Sequence, residues 1–271
     1  MKARLPEFDF SQANPRWIPA APAFAHQLNG ASLLLPYLEP YLVKVMRAAR
    51  PRVAEVAPEL LEDLDVFNQQ EANHYRVHSA YNRVMLGQYP SLAPFEAEIR
   101  ADFEGFLRDR PLAWNLAYCE GFESSGVIAS EFFLHAIDDL LETADPAVSA
   151  LWRWHLAEEF EHRNVAHDVL KALFPGWRHR LRGFRFCSQH LFQFTARVRA
   201  HMSDIDRAEF FKDTEDAGAD AKFRRRAARF HLPRIARVYM PWYSPHGRRM
   251  GEPTRRALAF FETHGLTKSR V

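Results

Sequence analysis

The sequence predicts an all-α protein, a four-helix bundle with additional C-terminal helices. Three observations point there. Apolar residues recur every three or four positions over long stretches, alternating strand patterns are missing, and proline and glycine divide the chain into pieces of helical length. With 271 residues, 47% of them apolar, the chain can bury a substantial core.

The elements follow in order. Pro6, Pro15, Pro19 and Pro22 remove backbone donors and restrict their predecessors, so residues 1–27 are expected to form an irregular arm, pinned by Trp17 and Phe24. A first helix is expected from Pro36, through Leu38, Leu42, Val45 and Met46, with Pro36 and Pro40 near its start. A second runs from about Glu62 to Leu86 and gathers Leu64, Phe67, Glu71, His74, His78, Tyr81 and Met85 on one broad face. Gly87, Pro90 and Pro94 interrupt it before a shorter helix containing Phe95, Ile99, Phe103 and Phe106. Pro111 precedes a long third principal helix ending near Thr143, in which Gly121 and Gly126 weaken the helix or permit a close backbone approach. Asp145 and Pro146 cap and open the fourth, which Pro175 and Gly176 end. Beyond it, residues 184–202, 221–237 and 253–264 read as helices, separated by the acidic segment Asp213–Asp220 and a PWYSPHG loop.

Charge is divided unevenly. Residues 171–271 hold 22 basic and 9 acidic residues, against 14 and 25 in residues 1–170. The simplest expectation is that the basic part packs on the acidic part and neutralises it. The other option is a basic patch for an anionic substrate or for peripheral contact with a membrane surface, its densest group being Arg224, Arg225, Arg226 and Arg229, with Arg234 and Arg237 beyond. A net charge of +2 and the lack of any recognisable binding motif argue against nucleic acid. Two cysteines, Cys119 and Cys187, build no disulfide framework and suit a reducing compartment. Neither a signal-peptide core nor an 18-residue uncharged apolar window is seen, so a cytoplasmic location is expected.

Two short motifs carry the chemistry: Glu71-Ala72-Asn73-His74 and Glu159-Phe160-Glu161-His162. In each Glu-x-x-His, a three-residue step brings carboxylate and imidazole to neighbouring positions on one helical face. One inward Glu from each of two further helices would complete four carboxylates and two imidazoles, the ligand set of dinuclear sites in ferritin-like bundles. Glu39 in the first helix and Glu120 in the third are the expected additions, with Glu123 the alternative if the face is rotated. The expected metal ligands are therefore Glu39, Glu71, His74, Glu120, Glu159 and His162, placing a metal-binding core at residues 28–175 and packed C-terminal helices at 176–271. Glu158 points about 100° away from Glu159 and is expected either to support a ligand from behind or to be a surface carboxylate. His78 and His155 are open as extra ligands, substrate contacts or supporting groups, and His167 matches the face less well. Tyr75, Tyr81, Tyr118, Trp152 and Trp154 fit either a pocket lining or ordinary bundle core.

These segments also resemble a bacterial family, the predicted metal-dependent hydrolases. The resemblance is carried by LLLPYLEPYLVKVMR around Glu39, FNQQEANHYRVHSAYN around Glu71 and His74, and LWRWHLAEEFEHRNVAHDVL around Glu159 and His162, over roughly residues 28–265. The first motif departs from the family's Pro-x-Gly-Glu, having Tyr37-Leu38 before Glu39. The resemblance implies a ferritin-like helical fold and a metal-dependent enzyme.

Four carboxylates balance two ferrous ions, and oxygen and imidazole donors suit redox-active metals. On that basis the leading expectation is an O2-dependent di-iron oxidoreductase, with two Fe ions favoured over Mn or Zn, acting on a small apolar or aromatic molecule. A metal-dependent hydrolase and a non-catalytic metal-binding or storage bundle are the alternatives. The sequence singles out no catalytic residue. An electron donor and a homodimer are both open.

Overall fold

The computed structural model describes residues 1–209 and 217–264. Its elements are α1 (Pro22–Val56), α2 (Leu61–Gln88), α3 (Ala93–Asp109), α4 (Leu112–Ala136), α5 (Asp138–Leu141), α6 (Pro146–His162), α7 (Val165–Leu173), α8 (Trp177–Glu209), α9 (Ala217–Val238) and α10 (Glu252–His264), with no strand among the described residues. The protein is an all-α bundle. α1 pairs with α2, α4 pairs with α6, and the long α8 lies across both α1 and α4, while α9 packs on α4 and α10 on α6. Part of the expected acidic spacer, residues 213–216, lies outside the described residues.

The largest departure from expectation is in α1. It starts at Pro22, and Pro36 and Pro40 sit in its interior instead of its first turn. An interior proline removes the amide that would bond to the carbonyl four residues back. For Pro36 that carbonyl belongs to Ser32, and Asn82 of α2 takes over by donating Nδ2 to Ser32 O at 2.8 Å. The helix continues because a side chain from its neighbour supplies the missing donor. Two other expected helices also differ: the one expected to end near Thr143 stops at Ala136, with the short α5 after it, and the one expected over 184–202 runs from Trp177 to Glu209. The fourth helix is broken after His162. There Arg163 donates Nη1 to the Phe160 carbonyl at 2.7 Å, and α7 resumes at Val165. Asp145 caps α6 as expected, accepting from the amides of Ala147 and Val148 at 3.0 and 3.1 Å.

A close crossing joins α8 to α4. A Cβ at Gly183 would overlap the Ala117 carbonyl, so the two backbones meet where one residue has no side chain. The basic C-terminal part does pair with the acidic part: Arg226 with Asp139 at 2.7 Å, Arg234 and Arg248 with Glu131 at 2.9 and 2.8 Å, and Arg197 with Glu98. Among the described residues no helix is long and apolar enough to cross a membrane.

Candidate metal centre

Four helices deliver acidic and imidazole side chains to one buried volume. Glu39 comes from α1, Glu71 and His74 from α2, Glu123 from α4, and His155, Glu159 and His162 from α6, all 2% exposed or less. Two donor groups form: Glu39 with His74 and His155, and Glu71 with Glu159 and His162, each having ligand atoms within 4.8 Å of one another. The groups touch. Glu159 Oε1 lies 3.9 Å from His74 Nδ1, 3.4 Å from His155 Nε2 and 3.4 Å from His162 Nε2.

Hydrogen bonds behind each imidazole decide which nitrogen faces inward. His74 donates Nε2–H to Glu158 Oε2 at 3.0 Å, leaving Nδ1 bare. Glu158 is held in turn by the Arg4 amide at 3.1 Å and the Arg4 guanidinium at 3.0 Å, so it stands behind His74. Gln70 donates Nε2 to Glu161 at 2.8 Å and to Lys2 O at 3.0 Å. Its oxygen therefore accepts Nδ1–H of His162 at 3.1 Å, and His162 Nε2 points at Glu123, 3.2 Å away, and Glu71, 3.3 Å away. A longer chain orders His155. Because the Asn82 amide nitrogen serves Ser32 O, its oxygen takes the Ser32 hydroxyl proton at 2.6 Å. The Ser32 oxygen then accepts from His78 Nδ1 at 2.8 Å, and His78 Nε2 accepts from His155 Nδ1 at 3.0 Å. His155 is left with Nε2 as its bare nitrogen. Each orientation is fixed by a second partner, the arrangement that sets metal-ligating histidines.

A glycine makes the space. A Cβ at Gly126 would overlap Glu159 Oε2, so the α4 backbone leaves the Glu159 carboxylate room that any other residue would fill. The aromatic rings of Phe67, Trp154 and Trp152 pack at 4.9 Å against His162, His74 and His78 and keep water from the imidazoles.

The donors fit a cation. Both oxygens of Glu39, Glu71, Glu123 and Glu159, with His74 Nδ1 and His162 Nε2, are buried and have no hydrogen-bond partner. A buried carboxylate left in that condition carries a desolvation cost of several kcal/mol, and two divalent ions would cancel four negative charges. Without them, burial and neighbouring carboxylates push Glu39 and Glu71 well above the ordinary carboxylate range, and burial with Glu159 pushes Glu123 up to about 7 despite His162. Burial raises Glu159 too, but His162 and His155 outweigh it and hold Glu159 low. Burial also opposes charge on His162, yet Glu123 and Glu159 raise it well above normal. His74 and His78 are driven low, chiefly by burial and by His155.

Five of the six expected ligands, Glu39, Glu71, His74, Glu159 and His162, are brought together; Glu120 is not. Glu120 is fully buried but turns to Ser124 Oγ at 3.0 Å and His167 Nδ1 at 3.2 Å, with Arg180 at 3.8 Å. Glu123 stands at the centre instead, on the same α4 face as Gly126 three residues on. His155 joins the set, while His78 stands behind it. Gln70, Ser32, Asn82 and Arg4 were not anticipated. The spacing of His155 four residues before Glu159 points to its placement, but no sequence signal marks Arg4, which reaches the centre from a proline-rich arm.

Fold and donor set define an all-α protein with a buried carboxylate and imidazole centre. The chain belongs to the predicted metal-dependent hydrolase family, whose model matches residues 2–248. No curated protein and no solved structure matches it. This membership corrects the expectation of an O2-dependent oxidoreductase for apolar or aromatic molecules, because the family is described as hydrolytic. Donor counting could not decide the reaction: carboxylates and imidazoles hold redox-active and redox-inert ions alike.

Proposed function

We propose that the protein is a metal-dependent hydrolase whose centre holds two divalent ions. Glu39, His74 and His155 would hold one ion and Glu71, Glu159 and His162, with Glu123 beside them, the other. The observation that carries this reading is the convergence of buried carboxylate oxygens and the imidazole nitrogens His74 Nδ1 and His162 Nε2, none of which makes a hydrogen bond within the protein. Family membership supplies the reaction class. Iron, manganese and zinc all accept these donors, and the choice among them is open to elemental analysis.

When bound, such a pair of ions polarises the scissile group and acidifies water. The chain's own residues fix the geometry. Glu158, Gln70 and His78 lock the three imidazoles, Gly126 seats Glu159, and Phe67, Trp152 and Trp154 exclude bulk water. In hydrolysis, water adds to the carbonyl carbon or phosphorus, the bond to the leaving oxygen or nitrogen breaks, and the leaving group departs with a proton.

The test joins metal analysis to turnover. Purified protein is expected to carry about two ions per chain and to cleave a chromogenic ester or phosphoester equally well with and without oxygen. Chelation should abolish the activity. Glu159→Gln and His162→Ala should each lower kcat/KM at least about 100-fold, since even groups behind a ligand contribute 10–100-fold. A fully loaded protein that cleaves no ester, amide or phosphoester overturns the reading.

A further inference from the structure

One turn before Glu123 on α4, a second buried polar cluster forms around Glu120, and it is short of negative charge. Arg180 donates Nη2 to the carbonyls of Val238 and Met240 at 2.8 and 3.0 Å, which ties down the end of α9. Its guanidinium lies 5.0 Å from the centre of the Tyr243 ring. The Tyr243 hydroxyl sits beside Ser124 and Arg248 without an aligned hydrogen bond to either. Arg248 donates Nη1 to Glu131 Oε2 at 2.8 Å, an oxygen that Arg234 also uses at 2.9 Å. Arg163, the residue after His162, donates Nη2 to the Arg248 carbonyl at 3.1 Å.

Three guanidinium groups, those of Arg180, Arg234 and Arg248, thus share two carboxylates, Glu120 and Glu131, and Arg163 feels Glu131 without pairing to it. Arg180, Tyr243 and Arg248 are only 5%, 5% and 8% exposed. Several of their donors are underused: Arg180 Nη1, Arg248 Nε and Nη2, Arg163 Nε and the Tyr243 hydroxyl are buried without a well-formed hydrogen bond, although Arg180 Nη1 faces Glu120 at 3.8 Å and the Tyr243 hydroxyl lies beside Ser124 and Arg248. Leaving a charged donor buried and unsatisfied is expensive. Planar guanidinium forks beside a phenol are well matched to an oxyanion, which accepts several such bonds at once. The cluster lies close to the metal centre: Glu120 is one of the carboxylates that raise Glu123, and Ser124 and Arg163 are the chain neighbours of Glu123 and His162.

We propose that Arg180, Arg248 and Tyr243, with Arg163 at the edge, form an oxyanion subsite that binds a phosphate or carboxylate group of the substrate. That group would be held while a neighbouring bond lies at the metal centre, so the enzyme's substrates are anionic. The link to substrate rests on the hydrolytic reading above, whereas the anion site itself stands without it.

Calorimetric titration of chelator-treated protein with inorganic phosphate, and separately with acetate, isolates the subsite from any metal. One binding site per chain is expected, favouring phosphate if the substrate group is a phosphoryl and acetate if it is a carboxylate. Arg248→Gln should weaken binding about tenfold or more. Tyr243→Phe, which keeps the ring and its packing, should weaken it by a smaller factor and guards against a folding failure in the arginine variant. With metal restored, Tyr243→Phe should raise KM for a p-nitrophenyl ester that carries a separate phosphate or carboxylate group by a larger factor than it raises KM for p-nitrophenyl acetate. Failure of the wild-type protein to bind either anion, or unweakened binding by both variants, overturns the subsite. Anion binding in a protein that hydrolyses nothing upholds the subsite and removes the hydrolytic reading alone.

Discussion

Gly126 holds the balance between helix stability and site geometry. Alanine in a helix interior is worth roughly 0.5–1 kcal/mol over glycine, so local propensity alone favours Gly126→Ala. The added methyl group would collide with Glu159 Oε2, however, and the carboxylate would have to leave its place among His155, His162 and His74. The variant is expected to keep its helical circular dichroism while its metal affinity drops at least about tenfold. Titration with a divalent ion under competition from a chelator measures this, and wild-type affinity would contradict the role given to Gly126. The same residue explains how far the site could be read from sequence. Glu71, His74, Glu159 and His162 were legible because each pair repeats a spacing that only a shared helical face explains. Glu120 and Glu123 were harder to separate, since both are buried on a helix that is apolar nearly all round. Hydrophobic pattern gives no inward direction there, and the inward face is marked only by the close approach of Glu159 to Gly126 in the structure.

At the scale of the element, α1 departs from what its prolines suggest. The usual argument confines proline to the first turn, and it placed the start of this helix too late by about four turns. The compensation lies in another helix, which local reasoning does not see: Asn82 of α2 bonds the Ser32 carbonyl that Pro36 leaves unserved. That bond also fixes the Asn82 oxygen toward the Ser32 hydroxyl, and through His78 it sets the orientation of His155. Asn82→Ala should therefore destabilise the protein by about 1–3 kcal/mol, the cost of a buried unsatisfied carbonyl. In that background Pro36→Ala returns an amide donor four residues beyond Ser32. The double variant should be more stable than the sum of the single effects predicts, with a coupling of about 0.5 kcal/mol or more in urea unfolding. Strict additivity would mean that Asn82 does not substitute for the missing amide.

For the molecule as a whole, burial of the centre couples folding to both metal and protons. The charge division between the chain's two parts was legible, and arginines of the C-terminal part do meet acids of the first part. The N-terminal latch was not, since Arg4 reaches Glu158 and Glu161 from a segment without periodicity. Without metal, the gathered carboxylates work against the fold at neutral pH. Glu123 shows the sign. Its pKa is pushed up to about 7 from the ordinary 4.5, so between those values the folded protein holds a proton that the unfolded chain has released. A raised folded-state pKa gives stability that is complete below the unfolded value and is lost as pH climbs through the folded one. His162, also raised, acts in the same direction, while the lowered His74 and His78 oppose it by favouring the unfolded chain as pH falls below about 6.5. Metal-free Glu123→Gln removes the carboxylate and, with it, one of the charges that raise His162, so both contributions that fade with rising pH weaken together. The variant should gain stability on wild type as pH rises from about 5 to 8 and be the more stable protein at pH 8. With metal bound the order should reverse at pH 8, because the ionised carboxylate then has a cation to face and glutamine does not replace its charge. Chemical unfolding of both proteins at several pH values, with and without divalent ion, measures all four states. A difference between them that is independent of pH and metal would show that Glu123 neither titrates in this range nor serves an ion.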